Sequence, residues 1–112
     1  MNKTLLVGRL GQNVQYTKLE SGKEVAKLRI ATSEGYGDQK ITEWHDVECW
    51  EFLARQCHEQ LKKGDRVAVE GSIRTSTWVE MHPEHGEITH INRRIVAKHI
   101  EFLFEKKKKD EL

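Results

Sequence analysis

The 112-residue chain has one proline, two cysteines and no apolar run long enough to cross a membrane. So few cysteines exclude a disulfide framework, and Cys49 and Cys57 favour reduced thiols in a cytosol-like compartment. The N-terminus MNKTLLVGRL also lacks the long apolar stretch of a signal peptide. We therefore expect a cytoplasmic protein with no membrane partner.

Net charge is nearly absent as well, with 19 lysines and arginines against 18 aspartates and glutamates. Bulk charge therefore does not predict a polyanionic partner, which would need a local basic patch combined with stacking. Hydrophobic residues make up 37% of the chain and charged residues 33%, which suits one domain with a modest core. We expect that domain over residues 1–104, followed by a short charged tail over 105–112.

The segment 42–53, TEWHDVECWEFL, separates into two unlike faces when it is arranged as a β-strand. Trp44 and Trp50 share one face with Asp46 and Glu48, and the opposite face is smaller and more apolar. Carboxylates are costly to bury, so the tryptophan face is predicted to be wet. Large aromatic side chains on a wet sheet indicate a surface on which a ligand stacks.

Hydrophobic periodicity predicts the other elements of the chain. We expect strands over 3–10, 25–32, 66–78 and 88–104, a helix over 52–63, and a mobile hairpin loop over 79–87. With the strand in 42–53, the chain has five strands and one helix between the third and the fourth. That order is the all-β, five-stranded barrel of the oligonucleotide-binding (OB) fold, although small barrels with other roles share it.

The alternation also predicts which side chains face the core. In the second strand these are Ala26, Leu28 and Ile30. In the fourth strand they are Val67, Val69, Gly71 and Ile73. In the last strand we favour Ile100, Phe102 and Phe104. The first strand is apolar without alternation at Leu5–Val7, which predicts burial on both faces and therefore an oligomer.

Several stretches resemble the bacterial-type single-stranded DNA-binding protein family. They are LLVGRLGQNV, VAKLRIATSE, TEWH, LKKGDRVAVEGSIRT and the Trp78 that follows. The resemblance covers nearly all of the chain from Asn2 to Thr77. It implies an OB-fold protomer that assembles as a homotetramer, with a dimer as the alternative, and binds single-stranded DNA sequence-independently. It further implies nucleoid-associated roles in replication, recombination and repair, with no catalysis, no cofactor and no metal.

The resemblance also implies the site residues. The stacking aromatics would be Tyr36, Trp44, Trp50 and Trp78. The phosphate contacts of the family would carry over onto Lys3, Lys63 and Arg74. Among the other basic side chains of this chain, Arg29 and Lys40 are further candidates for contacts with phosphate.

The chain departs from the family pattern at several points. Asp46 stands where an arginine is common, Phe52 where a lysine is common, and Ser76 and Thr77 replace a basic pair. We therefore expect weaker or more salt-sensitive binding than in a typical member, with stacking contributing the larger share. The glycine- and proline-rich linker and acidic C-terminal peptide of many members are also missing, so recruitment of replication or repair proteins is not expected to follow the family.

Two other functions stay open. An OB-fold protein-interaction module that lost its nucleic-acid role would explain Asp46 and Glu48. An accessory factor like primosomal replication protein N, a related tail-less dimer, is the second alternative. An enzyme is disfavoured because the sequence has no nucleophile–base pairing and no Gly-rich phosphate loop. A zinc site is disfavoured as well, because the spacing of His45, Cys49, Cys57 and His58 matches no zinc-finger pattern.

Overall fold

The computed structural model describes residues 1–104, so the predicted tail over 105–112 lies outside the described residues. The elements, in chain order, are β1 (Thr4–Leu10), β2 (Gln15–Lys18), β3 (Glu24–Glu34), β4 (Ile41–Trp50), α1 (Glu51–Gln60), β5 (Arg66–His82) and β6 (Gly86–Phe102). A short 3-10 helix, Gly37–Gln39, joins β3 to β4. Among residues 1–104, no helix has the length and apolar character needed to span a bilayer.

Five strands close into a ring in the order β1, β5, β6, β4, β3. The ring closes where the end of β1 pairs antiparallel with the middle of β3, Arg9 with Ala31 and Leu10 with Ile30. β4 and β6 pair in parallel at two positions, Val47 with Ile95 and Glu48 with Val96. With α1 between the third and fourth ring strands, this arrangement confirms the predicted OB-fold. The short β2, which pairs with the outer edge of β3, was not predicted.

The core of the ring is formed by side chains that alternate along the strands. Ala26, Leu28 and Ile30 on β3 are at most 2% exposed, which confirms their predicted inward face. On β4, Val47 and Cys49 are buried and the two tryptophans point outward, as the alternation predicted. The period-two pattern therefore fixes the orientation of the tryptophan face.

The helix α1 covers one end of the core with a few small side chains. Ala54 and Cys57, three residues apart on one helix face, are fully buried. The last hydrogen bond of the helix runs from the Leu61 N–H to the Cys57 carbonyl. Gly64, with a φ of 93°, then turns the chain into β5. It therefore spans 51–60 rather than the predicted 52–63.

A β-bulge shifts the register of β5 against β6: Glu70 pairs with His99 and Gly71 with Ala97, so the extra residue, Lys98, lies on β6. Val67, Val69 and Gly71 are buried as predicted, but the predicted core position of Ile73 is wrong, because this residue is 47% exposed where β5 leaves the ring. Gly71 is required here because a Cβ at this position would lie 2.3 Å from the Val96 carbonyl oxygen. At the other end of the chain, Phe104 is 56% exposed, so its predicted inward orientation is also wrong.

β5 and β6 continue together as a long antiparallel hairpin that we call the arm, residues 74–94. The predicted loop over 79–87 is wrong, because the two strands stay paired from Trp78–His90 to His82–Gly86. Only residues 83–85, including Pro83, form the turn. The arm places Trp78 on a paired strand instead of at the edge of a loop.

The outer face of β1 is apolar and open in a single chain. Leu5 is 68% exposed and Val7 is 51% exposed, whereas Leu6 packs against the core. Burial of both faces of β1, as predicted from the sequence, is thus not achieved within one protomer.

Candidate nucleic-acid interface

The outward face of β4 carries the two tryptophans that the sequence singled out. Trp44 is 49% exposed and Trp50 is 37% exposed. Asp46 and Glu48 lie between them on the same face, and β3 pairs antiparallel beside this part of β4. Two large aromatic rings and two carboxylates therefore share one open surface, as the alternation predicted.

Trp44 is held between a glycine and an arginine. Its ring lies against Gly11, where a Cβ would come within 2.2 Å of the ring carbon Cζ3. The Arg29 guanidinium carbon lies 5.4 Å from the ring centroid, a cation–π distance. The same guanidinium is 3.6 Å from an Asp46 carboxylate oxygen. Arg29, a predicted phosphate contact, is therefore already engaged by both the ring and the acid.

Trp50 is tied to its neighbour on the same strand face. Its indole Nε1 donates a hydrogen bond of 3.0 Å to Glu48 Oε2. The Arg94 Nε donates to the same oxygen at 3.2 Å, and the Arg94 NH1 donates to the Ser76 hydroxyl on the arm at 2.9 Å. Arg94 was not predicted as a site residue. The Arg93–Arg94 doublet within the last strand was the available signal.

Trp78 lies on the arm and is 51% exposed. It stacks on His90, directly across the hairpin, with ring centroids 5.2 Å apart and an interplanar angle of 17°. The His90 Nε2 lies 2.6 Å from Glu80 Oε2. One face of the Trp78 ring is thus covered by a histidine of the protein itself.

Tyr36 lies on the connection between β3 and β4 and is 93% exposed. It is flanked by Gly35 and Gly37, whose φ values of 89° and 57° fall in the left-handed region that glycine favours. A Cβ at Gly35 would also lie 2.6 Å from the Gln39 carbonyl oxygen. These glycines set a tight turn that leaves the tyrosine ring open to solvent, in the exposed loop that the sequence predicted.

The other predicted basic residues fall into different environments. Arg74 is on the arm, paired across the hairpin with Arg94. Lys40 follows the 3-10 helix, and Lys63 follows α1, where its backbone N–H donates to Asn13 Oδ1. Lys3 is placed differently, with its Nζ 3.8 Å from a Glu70 carboxylate oxygen on the β1–β5 side of the ring. The contacts bring Arg29 to Trp44 and place Lys3 on another side of the ring.

The open face, as we call the outward face of β4 with Trp44, Asp46, Glu48 and Trp50, has charges that are largely paired. Asp46 is ion-paired with Arg29, and Glu48 with Arg94. The Glu48 side chain is only 13% exposed, so its ion pair is shielded from solvent more than the Asp46 pair is. A polar cleft of about 310 Å³ runs beside both pairs. A phosphate that approaches this face must therefore compete with carboxylates for the same guanidinium groups.

The two cysteines lie beneath this face in the core. Cys49 and Cys57 are free thiols with no exposed surface. The hydrogen bond with Cys57, together with burial, raises the pKa of the Cys49 thiol. Such a thiol is unreactive, which indicates a packing role. Within the part of the chain that the structure describes, no group of three or more His, Cys, Asp or Glu side chains could hold a metal ion.

Comparison with known proteins adds two findings. A sequence model described as "Single-strand binding protein family" matches residues 1–103. Among curated proteins, the chain is similar to "Single-stranded DNA-binding protein 1" of Chlorobaculum tepidum, with 40% identity over 83 residues. That alignment covers 70% of this chain and 51% of the relative. The chain thus spans about half the length of the curated relative that it matches.

Proposed function

We propose that this chain, which belongs to the single-strand binding protein family, binds single-stranded DNA without sequence specificity and without catalysis. The observation that supports this most directly is the exposure of all three tryptophans, between 37% and 51%, on β4 and on the arm. Proteins of this family bind DNA and are not enzymes.

In the proposed mechanism, bases stack on Trp44, Trp50, Trp78 and Tyr36. An aromatic ring can receive the face of any base, so stacking tolerates sequence, and it contributes about 1–3 kcal/mol per base. Single strands expose their base faces, whereas a duplex hides them within its own stack. The open rings therefore favour single strands over duplex.

Phosphate contacts supply the second, salt-dependent contribution. The proposed contacts are Lys3, Arg29, Lys40, Lys63 and Arg74. Binding to phosphate releases condensed counterions, so each contact steepens the dependence of affinity on salt. Because Asp46 engages Arg29 in the free protein, the net gain from that contact is reduced, and stacking contributes the larger share of the affinity.

The proposed biological role is protection of single strands during replication, recombination and repair, in the cytoplasm at the nucleoid. We also propose that the chain acts as a homotetramer. Support for self-association comes from the outer face of β1, where Leu5 and Val7 are exposed beside Ala68 on β5. An apolar strand face of this kind is stabilised when a second protomer covers it.

The experiment that tests the function is a titration of the protein with oligo-dT, followed by tryptophan fluorescence at low and at moderate salt. We expect strong, saturable quenching that is reduced in Trp44→Ala and in Trp50→Ala, with circular dichroism confirming that both variants are folded. A folded wild-type protein that shows no quenching at low salt would exclude the proposal. The same face would then be examined as a docking surface for a protein.

A further inference from the structure

One carboxylate oxygen on the open face is shared by two donors from different elements. Glu48 Oε2 accepts from the Trp50 indole at 3.0 Å and from the Arg94 Nε at 3.2 Å. The Glu48 side chain is 13% exposed, and that of Arg94 is 29% exposed. Hydrogen bonds to a charged acceptor are stronger than neutral ones and gain further in a partly desolvated site.

The chain of hydrogen bonds continues from Arg94 into the arm. The Arg94 NH1 donates to Ser76 Oγ at 2.9 Å. Ser76 is two residues before Trp78, so the two side chains share one face of β5. A continuous polar path therefore joins the Trp50 ring on β4 to the strand that carries the Trp78 ring.

This path lies next to the point where the backbone pairing of β4 with β6 ends. β4 and β6 pair at Val47–Ile95 and at Glu48–Val96. The arm begins directly beyond that pairing, at Arg94. The side chains of Glu48 and Arg94 thus extend the junction by one further contact, on the outer face.

We propose that Glu48 is a positioning residue for DNA binding, which fixes the Trp50 ring relative to the arm that carries Trp78. This inference rests on the proposed function, since it concerns the same aromatic rings. A ring that is held in its binding orientation before the ligand arrives loses less side-chain freedom on binding. Glu48 therefore increases affinity through orientation even though its charge opposes phosphate.

Two neutral variants separate the effect of the Glu48 charge on DNA affinity from its effect on the orientation of the Trp50 ring. Glu48→Gln and Glu48→Leu remove the same negative charge, but only the glutamine has a side-chain oxygen that can accept from the Trp50 indole. We expect Glu48→Gln to bind oligo-dT at least as tightly as the wild type. Glu48→Leu is expected to bind about five- to tenfold more weakly than Glu48→Gln, the loss that corresponds to one hydrogen bond.

A second background serves as the matched control. Trp50→Phe keeps an aromatic ring but removes the indole N–H donor. In that background, Glu48→Gln and Glu48→Leu should bind oligo-dT equally. A five- to tenfold difference that persists in Trp50→Phe would overturn the proposal, because it could not arise from the Trp50 hydrogen bond. Equal binding of the two variants in the Trp50 background, with both folded, would overturn it as well.

The free protein supplies a test that needs neither DNA nor a Glu48 variant. In a ¹H–¹⁵N spectrum, the indole N–H of Trp50, assigned by its loss in Trp50→Phe, should exchange with solvent more slowly than those of Trp44 and Trp78. Exchange as fast as theirs would overturn the proposal. If wild-type protein fails to bind oligo-dT while this N–H is protected, the proposed function fails and the orientation of Trp50 by Glu48 remains as a structural fact.

Discussion

Two clusters in this molecule contain the same three kinds of side chain, an aromatic ring, a carboxylate and an arginine, but expose the ring to different extents. The Tyr16 cluster consists of Tyr16, Glu24 and Arg55, at the junction of β2, β3 and α1. The Trp50 cluster consists of Trp50, Glu48 and Arg94, at the junction of β4 and β6. Each places a carboxylate between an arginine and an aromatic ring.

The clusters differ in what covers the aromatic ring. Tyr16 stacks on His58 of α1 with centroids 4.3 Å apart and an interplanar angle of 16°. Arg55 holds the largely buried Glu24 carboxylate by three contacts of 3.0 to 3.3 Å. Trp50, in contrast, leaves 37% of its surface to solvent. The same three kinds of side chain stabilise the fold where the ring is covered, and under the proposed function they present a binding surface where the ring is open.

The largest expected effect comes from removal of the open rings. The double variant Trp44→Ala/Trp50→Ala should lose about 2–6 kcal/mol of binding free energy for oligo-dT, because each ring stacks on one base. Its unfolding midpoint should change little, since both rings are substantially exposed. Fluorescence anisotropy of a labelled oligo-dT measures the affinity, and urea unfolding measures the stability.

Tyr16→Ala is the matched control for that comparison. Loss of its contact with His58 should lower stability and leave the affinity of the folded protein within about twofold of the wild type. An affinity loss in Tyr16→Ala as large as that of the double tryptophan variant would show that the two clusters do not divide stability and binding between them.

The second effect concerns the dependence of stability on pH. Hydrogen bonding to Arg55 holds the pKa of Glu24 below its usual value of about 4.3. The unfolded chain therefore binds this proton more readily than the folded one, so the stabilisation is present above that usual value and is lost as the pH falls through the lowered pKa. Wild type should be more stable than Glu24→Gln at neutral pH.

Thermal unfolding of both proteins between pH 3 and pH 7 tests this. The gap in Tm between wild type and Glu24→Gln should be several degrees at neutral pH and should narrow as the pH falls below about 4. A gap that stays constant over the whole range would show that the Glu24 charge contributes nothing to folding.

Much of this architecture was readable from the sequence because alternation is a local signal. Ala26, Leu28 and Ile30 were predicted to face inward, and Trp44 and Trp50 outward, on unbroken strands. The same reasoning failed at Ile73, because β5 leaves the ring at this point and the side chain is 47% exposed, although it is paired with the buried Ile95. The sequence shows that residue 71 is a glycine. It does not show that the Val96 carbonyl comes too close to this position for any side chain.

The candidate site was predictable to the extent that it lies on one strand. Arg94 was missed because its contacts are with residues distant in sequence. It meets Glu48 through the parallel pairing of β4 with β6, and Ser76 across the antiparallel hairpin of β5 and β6. The ring contact of His90 with Trp78 was missed for a similar reason. The segment between them contains Pro83 and was predicted as a loop rather than as paired strands.

A smaller effect is expected from the charge on the open face. Asp46→Arg should tighten binding of oligo-dT at low salt by about tenfold, because it removes a repulsive carboxylate, releases Arg29 and adds a phosphate contact. The dependence of log affinity on log salt should steepen by about one unit. Titrations at a series of salt concentrations measure both quantities.

The control for Asp46→Arg is a change of identical charge on the other face of the same strand. Glu43 is exposed and lies one residue from Trp44, with the opposite parity from Asp46. Glu43→Arg should raise affinity less than Asp46→Arg does. Equal gains in the two variants would show that total charge, rather than placement on the tryptophan face, determines binding.

The smallest effect concerns Glu51, which joins the two clusters. It follows Trp50 directly, and its Oε1 accepts from the backbone N–H of Glu24 at 2.9 Å. Its φ of 56° places a non-glycine residue in the left-handed region at the start of α1, which costs roughly 1–2 kcal/mol. The side-chain hydrogen bond to Glu24 offsets part of that strain and holds the end of β4 against β3.

Glu51→Gly and Glu51→Ala separate the strain from the hydrogen bond, because both lose the carboxylate but only glycine adopts a positive φ freely. Glu51→Gly should therefore be more stable than Glu51→Ala by about 1 kcal/mol in urea unfolding. Gln56 in the interior of α1 is the control, where helix propensity favours alanine over glycine by about 1 kcal/mol. The same order at both positions would mean that Glu51 carries no backbone strain. The opposite order at 51 alone would show that the backbone of the turn between the two clusters is strained for any residue other than glycine.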